Sequence, residues 1–310
     1  MTTIRGQGDF MRLGQFKALL ALSSTGSIRG AARELNLSQS AVTRALRELE
    51  EDVGAKLFER RVDGTRFTPS GQSLLSHARL VMATLDRARD EVRRLNGQGQ
   101  ARVCFALTPL VATLGLHRIV QDFHRRYPDG QLDVDLGMVD HALPLILEGR
   151  LDFAVTFGYP DMLTSDMVFR PFTAIRMVPT VGAGAQVTES VTWEDLAERF
   201  WALHPGVNSV DQRVMDWLAR RGIRPHHPPT LCRSPYLLTV LGGHSDLIML
   251  APEPMLTQNL EPGGLRRVIL RADQELPPPI QMGLITRRHV PLSEAAQHVA
   301  SLTERICSVL

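Results

Sequence analysis

Apolar residues at Leu13, Phe16, Leu19 and Leu20 recur at the spacing of one helix face until Gly26 and Ser27 interrupt them, which predicts a first helix over Arg12 to Ser24. Ser27 offers an N-cap to a second helix that turns Ile28, Ala31, Ala32 and Leu35 inward, the paired alanines letting another helix approach closely. Only Asn36 and Leu37 separate it from Ser38, the expected cap of a third helix with Ala41, Val42, Ala45, Leu46 and Leu49 on its buried stripe. Two short helices joined so tightly read as a helix-turn-helix. Off the stripe lie Gln39, Ser40, Thr43, Arg44 and Arg47, residue types that bond base edges and phosphates when a recognition helix enters the major groove.

Residues 59–62 and 65–68 flank Asp63-Gly64, a favoured two-residue turn, and predict a hairpin wing. Its Arg60, Arg61 and Arg66 are placed to reach phosphates or the minor groove. Pro69 ends the strand, and Ser70 is the expected cap of a long helix reaching Leu95. Along it Leu74, Ala78, Val81, Leu85, Ala88, Val92 and Leu95 alternate in steps of four and three, the repeat of a coiled-coil seam. Leu74, Val81, Leu85 and Val92 are thus the expected dimer contacts, holding two recognition helices at the spacing of a two-fold operator. The alternative is an amphipathic helix packed on its own chain.

Gly97-Gln98-Gly99-Gln100 breaks the periodicity and marks a boundary. Beyond it, apolar runs over residues 103–107, 132–136, 153–156, 177–181, 246–250 and 281–286 alternate with helical patterns over 110–126, 141–148, 210–221, 236–242 and 293–309. This alternation predicts an α/β fold with largely parallel sheets, whose sites lie at the carboxyl ends of strands. Two junctions share one chemistry: Thr108-Pro109 and Ser234-Pro235 each pair a hydroxyl N-cap with a proline suited to the first helical position. Amides and a hydroxyl at a helix start suit a carboxylate, sulfonate or phosphate, with ordinary capping as the competing account.

Bulk composition changes this picture little. The chain of 310 residues suits two to three units of about 100–200 residues each, and 44% hydrophobic with 22% charged residues is a globular balance. No run approaches the roughly 18 apolar residues of a membrane span, and residues 1–9 lack a signal peptide's apolar core, so a cytoplasmic location is expected. Cys104, Cys232 and Cys307 are widely spaced and odd in number, which points to reduced thiols and away from a disulfide framework or a zinc site. The net charge of +2 hides an asymmetry. Residues 1–96 carry 16 Lys and Arg against 11 Asp and Glu, a balance of +5, and the rest carry 19 against 22, a balance of −3. A basic front joined to an acidic body points to nucleic acid as a partner of the front.

Enzyme readings find no support. No P-loop, HExxH or GxSxG occurs, and Gly182-Ala183-Gly184 lacks the rest of a dinucleotide fingerprint, so no cofactor is expected. Gly243-His244-Ser245-Asp246 holds the residue types of a hydrolase triad, yet neighbours on one turn cannot point at one another. His226 and His227, set among Pro225, Pro228 and Pro229, point apart in extended backbone and disfavour a metal. A solute-binding protein would account for the body but not for the first 96 residues, and a DNA-binding regulator without an effector would leave residues 101–310 without a task.

The residues from Arg12 to Gly71 resemble the winged helix-turn-helix of the LysR-type transcriptional regulators. The match runs through Ala31-Ala32 with Leu35, Leu37 to Arg44, Leu46 to Glu51, Gly54, Leu57 to Arg60 and Phe67 to Gly71. It implies that Gln39, Ser40, Thr43 and Arg44 face bases or phosphates; Ser40 stands where proline is commonest, and Arg61 where relatives are usually uncharged. From Ala101 onward the chain resembles the effector-binding domain of the same family, itself similar to a periplasmic binding protein with two lobes and a cleft. Phe105 to Pro109, Phe123, Tyr127-Pro128, Gly149, Leu151-Asp152 and Ala154-Val155 carry that match.

The resemblance implies a DNA-binding domain over 1–70, a linker and dimerisation helix over 71–96, lobe I over 101–170 with 271–310, and lobe II over 171–270. The lobe crossings are expected near Phe169 to Phe172 and Leu265 to Arg271. Effector contacts are implied at Thr108, Pro109, Leu110, Val139, Phe157 and Ser234. Val139 replaces a frequent Ser or Thr, and Asp140 after it adds a negative charge. Gly137-Met138, Pro144, residues 149–154 and residues 243–247 are more similar to the subgroup containing the regulator of toluenesulfonate degradation, a hint of an aromatic or sulfonate-like ligand. The implied partners are a double-stranded DNA operator, a small and anionic effector that biases lobe orientation, a homodimer or homotetramer, and RNA polymerase if the protein activates. No membrane is implied.

Overall fold

The computed structural model describes residues 11–61, 64–96, 99–159, 162–186, 190–206, 209–257, 264–308 and 310. The chain divides into two units, residues 1–99 with 147–150 and residues 100–146 with 151–310.

In the first unit, α1 (Leu13–Thr25), α2 (Ile28–Glu34) and α3 (Gln39–Val53) precede a hairpin of β1 (Phe58–Arg61) and β2 (Gly64–Phe67), and α4 (Pro69–Leu95) follows. Ser27 and Ser38 cap α2 and α3 as expected, accepting the Gly30 and Ala41 amides at 3.1 Å each. Phe16, Leu19, Leu22, Ala31, Ala32, Val42, Leu46, Leu49 and Leu57 form the core with Leu75 and Ala78 of α4. The strands pair antiparallel with Phe58 opposite Phe67 and Glu59 opposite Arg66. Asp63, the first residue of the predicted turn, lies outside the described residues, as do Gly97 and Gln98 of the predicted boundary.

Two expectations change here. The cap of α4 is Thr68, not Ser70: the Thr68 hydroxyl accepts the Gly71 amide at 3.0 Å, and Pro69 takes the first helical position, where its fixed φ fits and its missing N–H is not needed. The seam is also divided. Leu74 and Val81 are half-buried against the core of their own unit, whereas Val92 is 58% exposed. A 3.5-residue repeat does not say whether a stripe meets its own chain or another copy, and α1 covers the first turns of α4. The Leu95 side chain lies outside the described part.

In the second unit, β3 (Arg102–Leu107), α5 (Pro109–Arg126), β4 (Gln131–Leu136), α6 (Val139–Leu147), β5 (Phe153–Gly158) and β6 (Met167–Ile175) come first. Then follow β7 (Met177–Gly182), α7 (Trp193–Ala197), β8 (Ala202–Leu203), α8 (Val210–Ala219), β9 (Thr230–Leu231), α9 (Pro235–Gly243), β10 (Met249–Pro252), α10 (Glu253–Thr257) and β11 (Leu265–Arg267). The chain closes with β12 (Ile280–Arg287) and α11 (Glu294–Cys307). One sheet runs β4-β3-β5-β12-β6, a second β10-β7-β11, and β8 pairs with β9.

The sheets are less parallel than expected. β3 pairs parallel with β4 and β5, but β12 is antiparallel to both β5 and β6, and β7 is antiparallel to both its neighbours. The first crossing also lies later than expected. Phe169 to Phe172 belong to β6, an edge strand of the large sheet, and the chain leaves that sheet at Arg176. Pro171 disguises this strand in the sequence; it is tolerated at an edge, where the register shifts opposite Met282 and Gly283. Residues 265–267 remain in the small sheet as β11, so the return falls after them and before Ile280. Phe105 stacks on Phe153 with ring centroids 5.3 Å apart on the large sheet, and Trp193 meets Trp217 edge-on at 6.0 Å beside the small one.

Candidate DNA-binding face and effector cleft

Burying Val42, Leu46 and Leu49 of α3 fixes what the opposite side presents. Gln39, Ser40, Arg44 and Arg47 are exposed and Thr43 is half-buried, and their spacing of one, four, five and eight residues from Gln39 places them along one face. The Ser40 hydroxyl lies 2.9 Å from that of Ser38, so the cap residue steadies the first turn of this face. Arg66 is exposed on β2; Arg60 lies on β1, with its side chain outside the described part. Glu50, which the sequence reading did not single out, is buried at the end of α3 and accepts the Leu57 amide and Lys56 Nζ, each at 2.9 Å. Gly71 is required at the base of the hairpin because a Cβ there would lie 1.8 Å from the Leu57 carbonyl oxygen.

In the second unit the three parallel strands bring Thr108, Val139 and Phe157 to one sheet edge: Leu107 pairs with Leu136 on one side and with Val155 on the other. Thr108 is fully buried, its N–H donating to the Val155 carbonyl at 3.1 Å and its hydroxyl accepting the Val111 amide at 3.4 Å. Leu110, Val139 and Phe157 are buried as well, while Pro109 and Ser234 are half-buried. The Ser234 hydroxyl accepts the Leu237 amide at 3.4 Å. Thr108 and Ser234 thus cap the starts of α5 and α9, each ahead of a proline.

Asp140, in the first turn of α6, approaches His204, which follows β8 in the other lobe; Oδ1 lies 3.6 Å from Nε2. His204 is held on three sides. Its N–H donates to Asp211 Oδ2 at 2.7 Å, its carbonyl accepts the Ser209 hydroxyl at 3.2 Å, and its Nδ1 lies 3.2 Å from the Cys232 carbonyl oxygen. The Cys232 thiol points at the Ser234 carbonyl at 3.6 Å, which ties the loop to the start of α9. Burial pushes the Asp211 carboxyl up to about 6, against the pull of the His204 amide hydrogen bond. His204 was not foreseen, although its setting is similar to that of Thr108-Pro109: it directly follows a strand, precedes Pro205, and stands five residues before the Ser209 cap of a helix. Burial pushes the Cys307 thiol up to about 12, the state of an unreactive core residue.

A helix-turn-helix with an exposed polar face on α3, joined to a two-lobed α/β unit, is the architecture of a ligand-responsive DNA-binding regulator. Residues 13–72 match the family model of the bacterial regulatory helix-turn-helix protein, lysR family, and residues 96–307 match the LysR substrate binding domain. The chain belongs to the LysR family, whose members are transcription regulators rather than enzymes. It is 24% identical to the HTH-type transcriptional regulator TdcA of Escherichia coli strain K12 over 286 residues, 92% of this chain and 89% of that protein. It is 34% identical to the small neutral protease regulatory protein of Streptomyces coelicolor over 227 residues, 67% of this chain and 68% of that one. In fold it is similar to CbnR, a LysR family transcriptional regulator, with 17% identity, a TM-score of 0.65, and 95% and 99% of the two chains covered. Full-length CbnR complexed with its target DNA gives a TM-score of 0.62 at 17% identity, covering 94% and 99%. Among the described residues no helix is long and apolar enough to cross a membrane.

Proposed function

We propose that this regulator works in the cytoplasm, that a homodimer or homotetramer of it grips a partly palindromic operator through α3 and the wing, and that a small organic acid in the cleft sets the outcome. Gln39, Ser40, Thr43, Arg44 and Arg47 read bases and phosphates from the exposed face of α3, and Arg60 and Arg66 add wing contacts. Leu85 and Val92 on the later turns of α4 supply the dimer seam, and Leu74 and Val81 join it while packing on their own core. The effector's anionic end meets the starts of α5 and α9, near Thr108, Pro109, Leu110 and Ser234, with Val139 and Phe157 as apolar wall. Closure of the lobes on the effector shifts operator affinity or bend in proportion to its preference for one lobe arrangement. If the protein activates, RNA polymerase is the next partner.

The observation that supports this reading is the coupling in one chain of an exposed polar α3 face and an α/β unit with two helices capped by Thr108 and Ser234, each followed by proline. Footprinting on the DNA flanking the protein's own gene tests it. Protection of two half-sites about one or more helical turns apart, altered by an organic acid that also raises the melting temperature, is expected. Uniform, sequence-independent protection would remove it.

A further inference from the structure

The imidazole of His204 carries a polar atom with nothing to bond. His204 is 6% exposed, and its Nε2 is buried without a hydrogen bond. The Cys232 carbonyl can only accept, so Nδ1 holds the ring hydrogen, and Nε2 of the neutral ring is then a lone pair aimed toward the Asp140 carboxylate. Two acceptors facing each other at 3.6 Å leave the buried Nε2 unsatisfied. A cationic ring would ease the repulsion, but 3.6 Å is too long for a hydrogen bond. What satisfies both is a donor with more than one N–H and a positive charge.

The surroundings favour the same group. Asp211 accepts the His204 backbone N–H and Asp140 faces its ring, so two acidic side chains meet this one residue. Asp140 keeps part of its side chain exposed, and Gly206 lets the His204 loop approach it, since a Cβ on Gly206 would lie 2.9 Å from Asp140 Oδ2. No Lys or Arg bonds Asp140 among the contacts of the described residues, and Asp140 sits four residues beyond Leu136, the partner of Leu107 beside Thr108. The cleft is therefore bipolar: helix starts that attract an anion stand next to a pair of acceptors that attracts a cation.

We infer that the effector is a small zwitterion, an amino acid or a similar amine-bearing carboxylate, whose protonated amine seats between Asp140 and His204 while its carboxylate meets the start of α5 or α9. This rests on the cleft reading above and narrows it, and it departs from the aromatic or sulfonate-like ligand suggested by subgroup similarity. The ammonium donates to Asp140 Oδ1 and to His204 Nε2.

The full-length protein should be titrated calorimetrically with matched pairs that differ only in the amine: L-leucine with 4-methylpentanoate, L-phenylalanine with 3-phenylpropanoate, and L-glutamate with glutarate. At least one amino acid should bind about tenfold or more tightly than its desamino partner. Asp140→Asn should abolish that preference while leaving desamino binding unchanged, and His204→Gln should weaken the amino acid alone. Melting curves without ligand identify any variant that fails to fold, in which case the pairwise preference of the unaltered protein decides. Desamino acids that bind as tightly, or no amino acid that binds, would overturn the zwitterion. The cleft reading is judged separately, because it falls only if Thr108→Val and Ser234→Ala leave carboxylate binding in either series unchanged.

Discussion

The Glu50 carboxylate holds the Leu57 amide at 2.9 Å across the turn between α3 and the wing. The same carboxylate meets Lys56 Nζ, but that amine is 80% exposed and the ion pair contributes little. Glu50→Ala would leave the Leu57 N–H buried and unpaired and should cost about 1–3 kcal/mol. Glu50→Gln keeps an acceptor and should cost much less. Urea denaturation of the two variants tests this, and equal stabilities would deny the hydrogen bond its role.

Arg44→Ala should weaken operator binding without changing oligomeric state. If Arg44 meets a phosphate, the loss is nearly uniform across sequences and the salt slope falls by about one. If it forks onto a guanine, discrimination at one base pair falls by about 1–3 kcal/mol. Gel shifts at fixed salt on the native site and on single-base variants separate the two, and undiminished affinity would take Arg44 off the reading face.

Val92→Glu should dissociate dimers with little effect on melting, because Val92 is 58% exposed. Leu74→Asp should instead lower the melting temperature, since Leu74 packs on the core of its own unit. Sedimentation and thermal melting on the same samples check the split; dimers that survive Val92→Glu would move the interface elsewhere.

Thr108→Val removes the hydroxyl that caps α5 with almost no change in volume. A loss of about 1 kcal/mol is expected from the cap alone, along with a weaker response to any organic acid that stabilises the unaltered protein. A dose-response curve unchanged by the substitution would make Thr108 a cap and nothing more.

Asp211 should make stability depend on pH. Burial raises its carboxyl from 3.8 to about 6, so the folded state holds this proton more tightly than the unfolded one. Its stabilising contribution is full below 3.8 and is lost as pH rises through about 6. Asp211→Asn keeps an acceptor for the His204 amide and has no proton to lose. Relative to the unaltered protein it should gain up to about 3 kcal/mol of stability between pH 4 and pH 7. A constant difference across that range would mean the carboxyl does not titrate there.

The sequence was most legible where periodicity and caps act locally. Ser27, Ser38, Thr108 and Ser234 each accept the amide expected of a cap, because a hydroxyl before a helical run has few other uses. Legibility failed where an element depends on distant partners. β6 escaped because Pro171 is permitted only by its edge position, which is set by β12 more than a hundred residues later. The antiparallel small sheet escaped for the same reason, since short strands do not encode direction. His204 and Asp140 lie 64 positions apart, and no local rule brings an imidazole to a carboxylate across two lobes.

β12 lies between β5 and β6 in the large sheet, although it is the last strand in the chain. Until it leaves the ribosome, β5 and β6 have no neighbour to join them, and α11, which packs Ile306 against Gly115 of α5, comes later still. The helix-turn-helix is complete some two hundred residues before that moment. During synthesis the chain therefore carries a finished DNA reader well before it has a finished sensor, and a nascent or C-terminally clipped molecule would occupy DNA without hearing the effector.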